Sequence, residues 1–113
     1  MKTCIVIGNG PSLNDVPAEF LAKYDTFGTN KIFLKMTPKY YVAINPLVVK
    51  QNVERINQLA CMRYVRAEMG AYGVQLTSGK SAPFSYEPMV WVNEGYTVTY
   101  VCLQLAYWMG YER

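Results

Sequence analysis

The 113-residue sequence predicts an α/β fold, a Rossmann-like three-layer α/β/α arrangement around a mostly parallel sheet. Three observations predict it. A short β-branched run at residues 3–7 stops at a glycine-rich turn, Gly8-Asn9-Gly10-Pro11-Ser12, as a buried parallel strand feeding a helix would. Strand-like and helix-like patterns then alternate as far as residue 65. A stretch at 97–109, apolar almost all round, reads as a buried helix, with Gly110 placed to cap its C-terminus.

The first strand covers residues 3–7 and is expected to be buried on both faces. A short helix fits 17–24, with Asp15 or Val16 at its start, Pro17 in its first turn, and Phe20, Leu21 and Tyr24 on its apolar side. A second strand is expected at 25–29, leading into Asn30. A third, Tyr-Tyr-Val-Ala-Ile at 40–44, leads into Asn45-Pro46. Val49, Val53, Ile56 and Ala60 then recur at helical spacing and predict one amphipathic surface helix. A fourth strand fits 62–65. Residues 66–94 are broken up by Gly70, Gly73, Gly79, Pro83 and Pro88. They are expected to be a loop-rich insertion with one or two short strands, folded over a site. The whole chain, 1–113, is expected to be a single domain. A helix and glycine cap in an α/β unit should feed another strand. The sequence is therefore expected to be truncated at its C-terminus; the alternative is a partner, a homo-oligomeric copy included, over that surface.

Composition removes several function classes. About 51% of residues are apolar, which supports a core rather than disorder, and the net charge of +3 is scattered, with no nucleic-acid-binding face. There is no histidine, so Ser-His-Asp and Cys-His mechanisms are excluded. Cys4, Cys61 and Cys102 lack ligand spacing, which argues against zinc; Cys4 and Cys102 read as buried hydrophobes in a reducing compartment. No signal peptide is visible, and no apolar run reaches the roughly 20 residues of a membrane span. The expected location is the cytoplasm.

The chemistry is expected at the carboxyl ends of the strands, where open α/β sheets bind ligands. Glycines in the 8–13 loop let the main chain approach a ligand, and free N–H groups beside a helix N-terminus attract phosphate. Asn30 and Asn45 end the next two strands and carry donors and acceptors suited to ribose hydroxyls and base edges. Thr97 opens the last helix, as an N-cap or as part of an anion site. Ser78-Gly79-Lys80-Ser81 resembles the end of a Walker A loop but is out of register with Gly73 and is followed by Pro83. Asp15, Glu68, Glu87 and Glu94 form no paired or metal-spaced set, so no general base is named.

Residues 5–13, Ile-Val-Ile-Gly-Asn-Gly-Pro-Ser-Leu, resemble the opening of the MptE-like family, named for an archaeal 6-hydroxymethyl-7,8-dihydropterin diphosphokinase. Phe27-Gly28-Thr29-Asn30, residues 41–48 and the Gly95-Tyr96-Thr97 segment with its helix are similar too. The same skeleton resembles the bacterial sialyltransferases of glycosyltransferase family 42. The resemblance implies a nucleotide-binding transferase, either an ATP-dependent diphosphokinase using Mg²⁺ or a glycosyltransferase of surface polysaccharide synthesis using a nucleotide-activated sugar. A non-catalytic nucleotide-binding domain is the third reading. Carried over by position, Gly8, Asn9, Gly10, Pro11, Ser12, Asn30, Asn45 and Thr97 are the nucleotide-binding residues. Asn45-Pro46 is the sialyltransferase form, where many MptE-like proteins have Asp-Pro; Val98 and Thr99 depart from the sialyltransferase Ser-Gly. Both families imply a continuation past Arg113 carrying much of the catalytic apparatus, so this stretch alone is expected to bind without turning over.

Overall fold

The computed structural model describes residues 2–8, 15–79, 84–94 and 98–112. The fold is α/β, with a five-stranded, all-parallel sheet in the order β1-β2-β3-β4-β5. The strands are β1 (Cys4–Ile7), β2 (Asp25–Thr29), β3 (Tyr40–Ala43), β4 (Met62–Arg66) and β5 (Val74–Leu76). Between them lie α1 (Ala18–Ala22), a 3₁₀ turn (Ile32–Leu34), α2 (Pro46–Gln51) and α3 (Val53–Asn57). A parallel pair of two-residue strands, β6 (Ser78–Gly79) and β7 (Val92–Asn93), precedes α4 (Val98–Trp108).

Side-chain alternation along the strands divides the core into two halves. Phe27, Val42, Ile44, Tyr64 and Leu76 face α4, meeting Val101, Cys102, Leu105 and Ala106. Ile7, Tyr41, Ala43 and Val65 face the other way, against Ile32, Phe33, Val49 and Ile56. Helices thus cover both faces of the sheet. A sheet whose strands pair in sequence order keeps its crossovers on one face, which leaves the opposite face for α4.

The sequence expectations are corrected in four places. The amphipathic helix after β3 is two short helices. Asn52 sits between them at φ −128°, ψ 20°, and its side-chain amide donates to the Val48 carbonyl at 2.7 Å. That local bond competes with regular helix, as asparagine does in helix interiors. Of the apolar side expected for α1, only Leu21 packs toward the core; Phe20 and Tyr24 pack edge to face at the surface. β1 is half-buried rather than fully buried, because among the described residues it is an edge strand. And α4 is not buried all round: Leu103, Tyr107 and Trp108 are exposed on the side away from the sheet.

Within 66–94 the chain does more than loop. β5 joins the main sheet, and β6 pairs with β7. Parallel neighbours usually need a dozen or more residues to cross over, yet only residues 67–73 join β4 to β5. The chain makes this reversal through positive φ angles at Glu68 (67°), Gly70 (85°) and Gly73 (140°). Glycine is obligatory at Gly73, where a Cβ would stand 2.6 Å from the Arg63 carbonyl oxygen.

The direction of α4 follows from its end. The Gly110 N–H donates to the Tyr107 carbonyl and the Tyr111 N–H to the Ala106 carbonyl, both at 3.0 Å, with Gly110 at φ 93°. This is a Schellman cap, as expected from the glycine. Just beyond, the Glu112 N–H donates to the Lys2 carbonyl at 2.9 Å, and the Tyr111 hydroxyl donates to the Asp25 carboxylate. Lys2 precedes β1 and Asp25 begins β2, so α4 ends at the amino edge of the sheet. Its 11 residues span about 16 Å, enough to cross strands of four or five residues. The N-terminus of α4 therefore lies at the carboxyl edge.

Candidate functional site

The carboxyl edge is where the sequence placed the chemistry. Ile7 pairs with Gly28, Thr29 with Val42, and Ala43 with Val65. Carried one residue further, this register sets Gly8 beside Thr29, Asn30 beside Ala43, and Ile44 beside Arg66. Gly8, Asn30 and Asn45 thus leave three adjacent strands at the same edge, with about 5 Å between neighbouring strands. Asn9, Gly10, Pro11, Ser12 and Thr97 lie outside the described residues, as does Lys80.

Gly8 is exposed, and a Cβ there would meet nothing within 4 Å. Asn30 has φ 51°, a left-handed conformation that asparagine adopts more readily than most residues. Its backbone carbonyl accepts from the Tyr41 hydroxyl. Burial pushes the Tyr41 phenol far above its ordinary range, so it stays a donor at any working pH. Asn30 Oδ1 is buried and has no hydrogen-bond partner among the described residues. An unmet buried acceptor costs on the order of 1–3 kcal/mol, and a ligand donor would relieve that cost.

Asn45 is the N-cap of α2. Its Oδ1 accepts from the Leu47 N–H at 2.9 Å and, more weakly, from the Val48 N–H at 3.4 Å, with Pro46 opening the helix. Its oxygen is committed to the fold; only its amide N–H groups remain for a ligand. Substitution separates the two roles. Asn45→Ala is expected to lower stability by about 1 kcal/mol in urea denaturation. Asn45→Asp keeps the cap and its stability but has no donor, so a ligand bound through that amide is weakened in isothermal titration.

One polar group at this edge was missed from the sequence. Arg66, the last residue of β4, points Nη1 toward the Ile44 carbonyl (3.4 Å), Ser78 Oγ (3.4 Å) and Glu94 Oε2 (3.6 Å). Ser78 also donates to Glu94 at 2.9 Å. Arg66, Ala67, Glu68, Met69, Leu76, Thr77 and Ser78 line a cavity of about 240 Å³. A charged strand-terminal residue looks like ordinary surface in the sequence, and its partners come from 66–94, where periodicity carries no signal.

Besides the β6–β7 pairing, one buried side chain ties the segment 84–94 to α4. Gln104 Oε1 accepts from the Ser85 N–H (2.9 Å) and the Asn93 N–H (3.0 Å), and Nε2 donates to the Asn93 carbonyl (2.7 Å) and the Tyr100 carbonyl (3.1 Å). This places Glu94 against Arg66.

The cysteines offer no nucleophile. Burial raises the Cys4, Cys61 and Cys102 thiols, Cys102 up to about 12, so each remains the unreactive protonated form at neutral pH. Ser78-Gly79 is strand β6 rather than a phosphate-wrapping turn. Among the described residues no group of three or more His, Cys, Asp or Glu is placed to hold a metal, and no helix is long and apolar enough to cross a membrane. No family model matches the chain, and neither a curated protein nor a solved structure matches it.

Proposed function

We propose that this chain is the nucleotide-binding domain of a transferase, with the phosphates on the 8–13 loop and the nucleoside running along the carboxyl edge past β2 and β3. The observation that carries the reading is the convergence of Gly8, Asn30 and Asn45 on one edge of a parallel sheet, with Asn30 Oδ1 buried there and unpaired among the described residues. The N-terminus of α4 at the same edge supports it, because the positive end of a helix dipole stabilises phosphate. Asn9, Gly10, Pro11, Ser12 and Thr97 complete the proposed site.

Two substrates are proposed for this one site. The first is ATP, in an MptE-like diphosphokinase whose catalysis rests on positioning and charge stabilisation. Mg²⁺ in that reading arrives on the nucleotide's own phosphates. The second is a nucleotide-activated sugar, in a sialyltransferase-like glycosyltransferase; Asn45-Pro46 is the feature that favours it. Three free thiols suit the reducing cytoplasm in either case.

Competition binding of ATP against CMP- and UDP-sugars, with and without Mg²⁺, tests the proposal. Mg²⁺-dependent ATP preference supports the diphosphokinase, and metal-independent CMP binding supports the glycosyltransferase. Affinity for every nucleotide unchanged in Asn9→Ala and Ser12→Ala removes the phosphate cradle from the account.

A further inference from the structure

The cavity beside Arg66 bears on which nucleotide the site takes. The guanidinium lies against the carbonyl of Ile44, the residue immediately before Asn45. Moving along the carboxyl edge from Gly8 on β1, the proposed ligand meets Asn30 on β2, Asn45 on β3 and then Arg66 on β4. That is a path of about 14 Å at one strand spacing per step. A nucleotide with its phosphates at β1 thus extends its base toward Arg66.

The chemistry of the cavity suits a base better than an anion. Glu68 lines it and Glu94 stands behind the guanidinium, so one positive charge faces two carboxylates. A second phosphate or carboxylate would be repelled. Ala67, Met69 and Leu76 supply apolar wall, Thr77 and Ser78 supply hydroxyls, and the volume of about 240 Å³ suits a single planar ring system. It falls just below the roughly 300–1,000 Å³ of clefts that hold drug-sized ligands.

Arg66 is also under-used. Its polar contacts among the described residues go through Nη1, at 3.4–3.6 Å, longer than the 2.7–3.2 Å of well-formed bonds. Nη2 and Nε have no partner among the described residues. A guanidinium presents parallel donors, which match two adjacent acceptors on one edge of a ligand. Cytosine has such a pair in O2 and N3, and guanine in O6 and N7; in adenine N1 and N7 each stand beside the amino donor and N3 stands alone, and in uracil an N–H separates the two carbonyls.

We propose that Arg66 is a specificity-determining residue that reads a nucleobase with two adjacent acceptors, cytosine or guanine, in the cavity at the ends of β4 and β5. Glu94 and Ser78 are positioning residues that hold the guanidinium in place. The inference rests on the nucleotide reading above and deepens it, since such a base favours the nucleotide-sugar substrate over ATP.

The test is isothermal titration of the whole chain with CMP, GMP, AMP and UMP, repeated on Arg66→Gln and Arg66→Lys, with far-UV circular dichroism to confirm folding. The expected result is CMP or GMP bound about tenfold or more tighter than AMP. Both variants lose that preference, while their AMP affinity stays within about twofold of the parent. In the parent, the Arg66 Nε–H resonance shifts with the preferred nucleotide and stays still with AMP, a readout that needs no variant. Binding of all four nucleotides with a ratio indifferent to Arg66 overturns the base assignment and leaves the nucleotide reading standing. No binding of any of them overturns both.

Discussion

Replacing Gln104 with leucine is expected to lower the unfolding free energy by about 3–5 kcal/mol, though leucine fits the site by volume. Gln104 is fully buried in α4 and bonds the Ser85 N–H, the Asn93 N–H and the Asn93 carbonyl. Removing the amide strands three buried main-chain groups, each costing on the order of 1–3 kcal/mol. Against a typical total of about 5–15 kcal/mol, the loss is large. Differential scanning calorimetry is expected to show a fall in Tm of more than about 10 °C. Hydrogen exchange is expected to accelerate most at Ser85 and Asn93, and least in β3. A shift of only a degree or two would mean that 84–94 is held by something other than this side chain.

Gly73→Ala is the second large effect, expected at about 3 kcal/mol. Alanine must adopt φ near 140°, which L-residues rarely do, and its Cβ would lie 2.6 Å from the Arg63 carbonyl oxygen and 2.8 Å from Arg63 Cβ. The strained backbone costs on the order of 1–3 kcal/mol, and the overlap adds a similar amount. Gly70→Ala is the internal comparison. Gly70 also has positive φ, 85°, but a Cβ there meets nothing within 4 Å, so only strain is felt and about 1 kcal/mol is lost. Urea midpoints for the two variants are expected to separate clearly. Equal midpoints would mean that the tight crossover between β4 and β5 relaxes at no cost.

Much of the sheet was legible because its inner strands are covered on both faces. Residues 3–7 and 40–44 read as strands from apolar and β-branched runs, 25–29 and 62–65 from their place in the alternation, and the observed strands agree within a residue or so. Gly110 as a C-cap was legible for a local reason, since positive φ after a helix selects glycine. The remainder depended on contacts far apart in sequence. β5, β6 and β7 are two or three residues long, too short to show a period; β6 pairs with β7 across more than ten positions, and β7 is bonded to Gln104 of α4. The break at Asn52 was hidden because Val49, Val53 and Ile56 keep helical spacing through it. The exposed Leu103, Tyr107 and Trp108 misled the reading of α4 for a related reason: apolarity says that a face can be buried, not that anything lies opposite it.

At the candidate site, the sequence singled out the strand ends and Asn30 and Asn45, because a polar residue at the end of a strand stands out. It did not show that Asn45 is also a cap whose oxygen is already engaged. Nor did it single out Arg66, whose significance comes from Ser78 and Glu94.

The proposed function requires a nucleotide lying across the carboxyl edge of the sheet. The most direct test is an ¹⁵N–¹H correlation titration with CMP and, separately, ATP with Mg²⁺. The predicted result is saturable shifts at Gly8, at the side-chain amides of Asn30 and Asn45, and at the first turn of α4, with Lys2, Lys39 and Tyr111 at the amino edge unmoved. Shifts confined to the amino edge, or none at millimolar nucleotide, would contradict it.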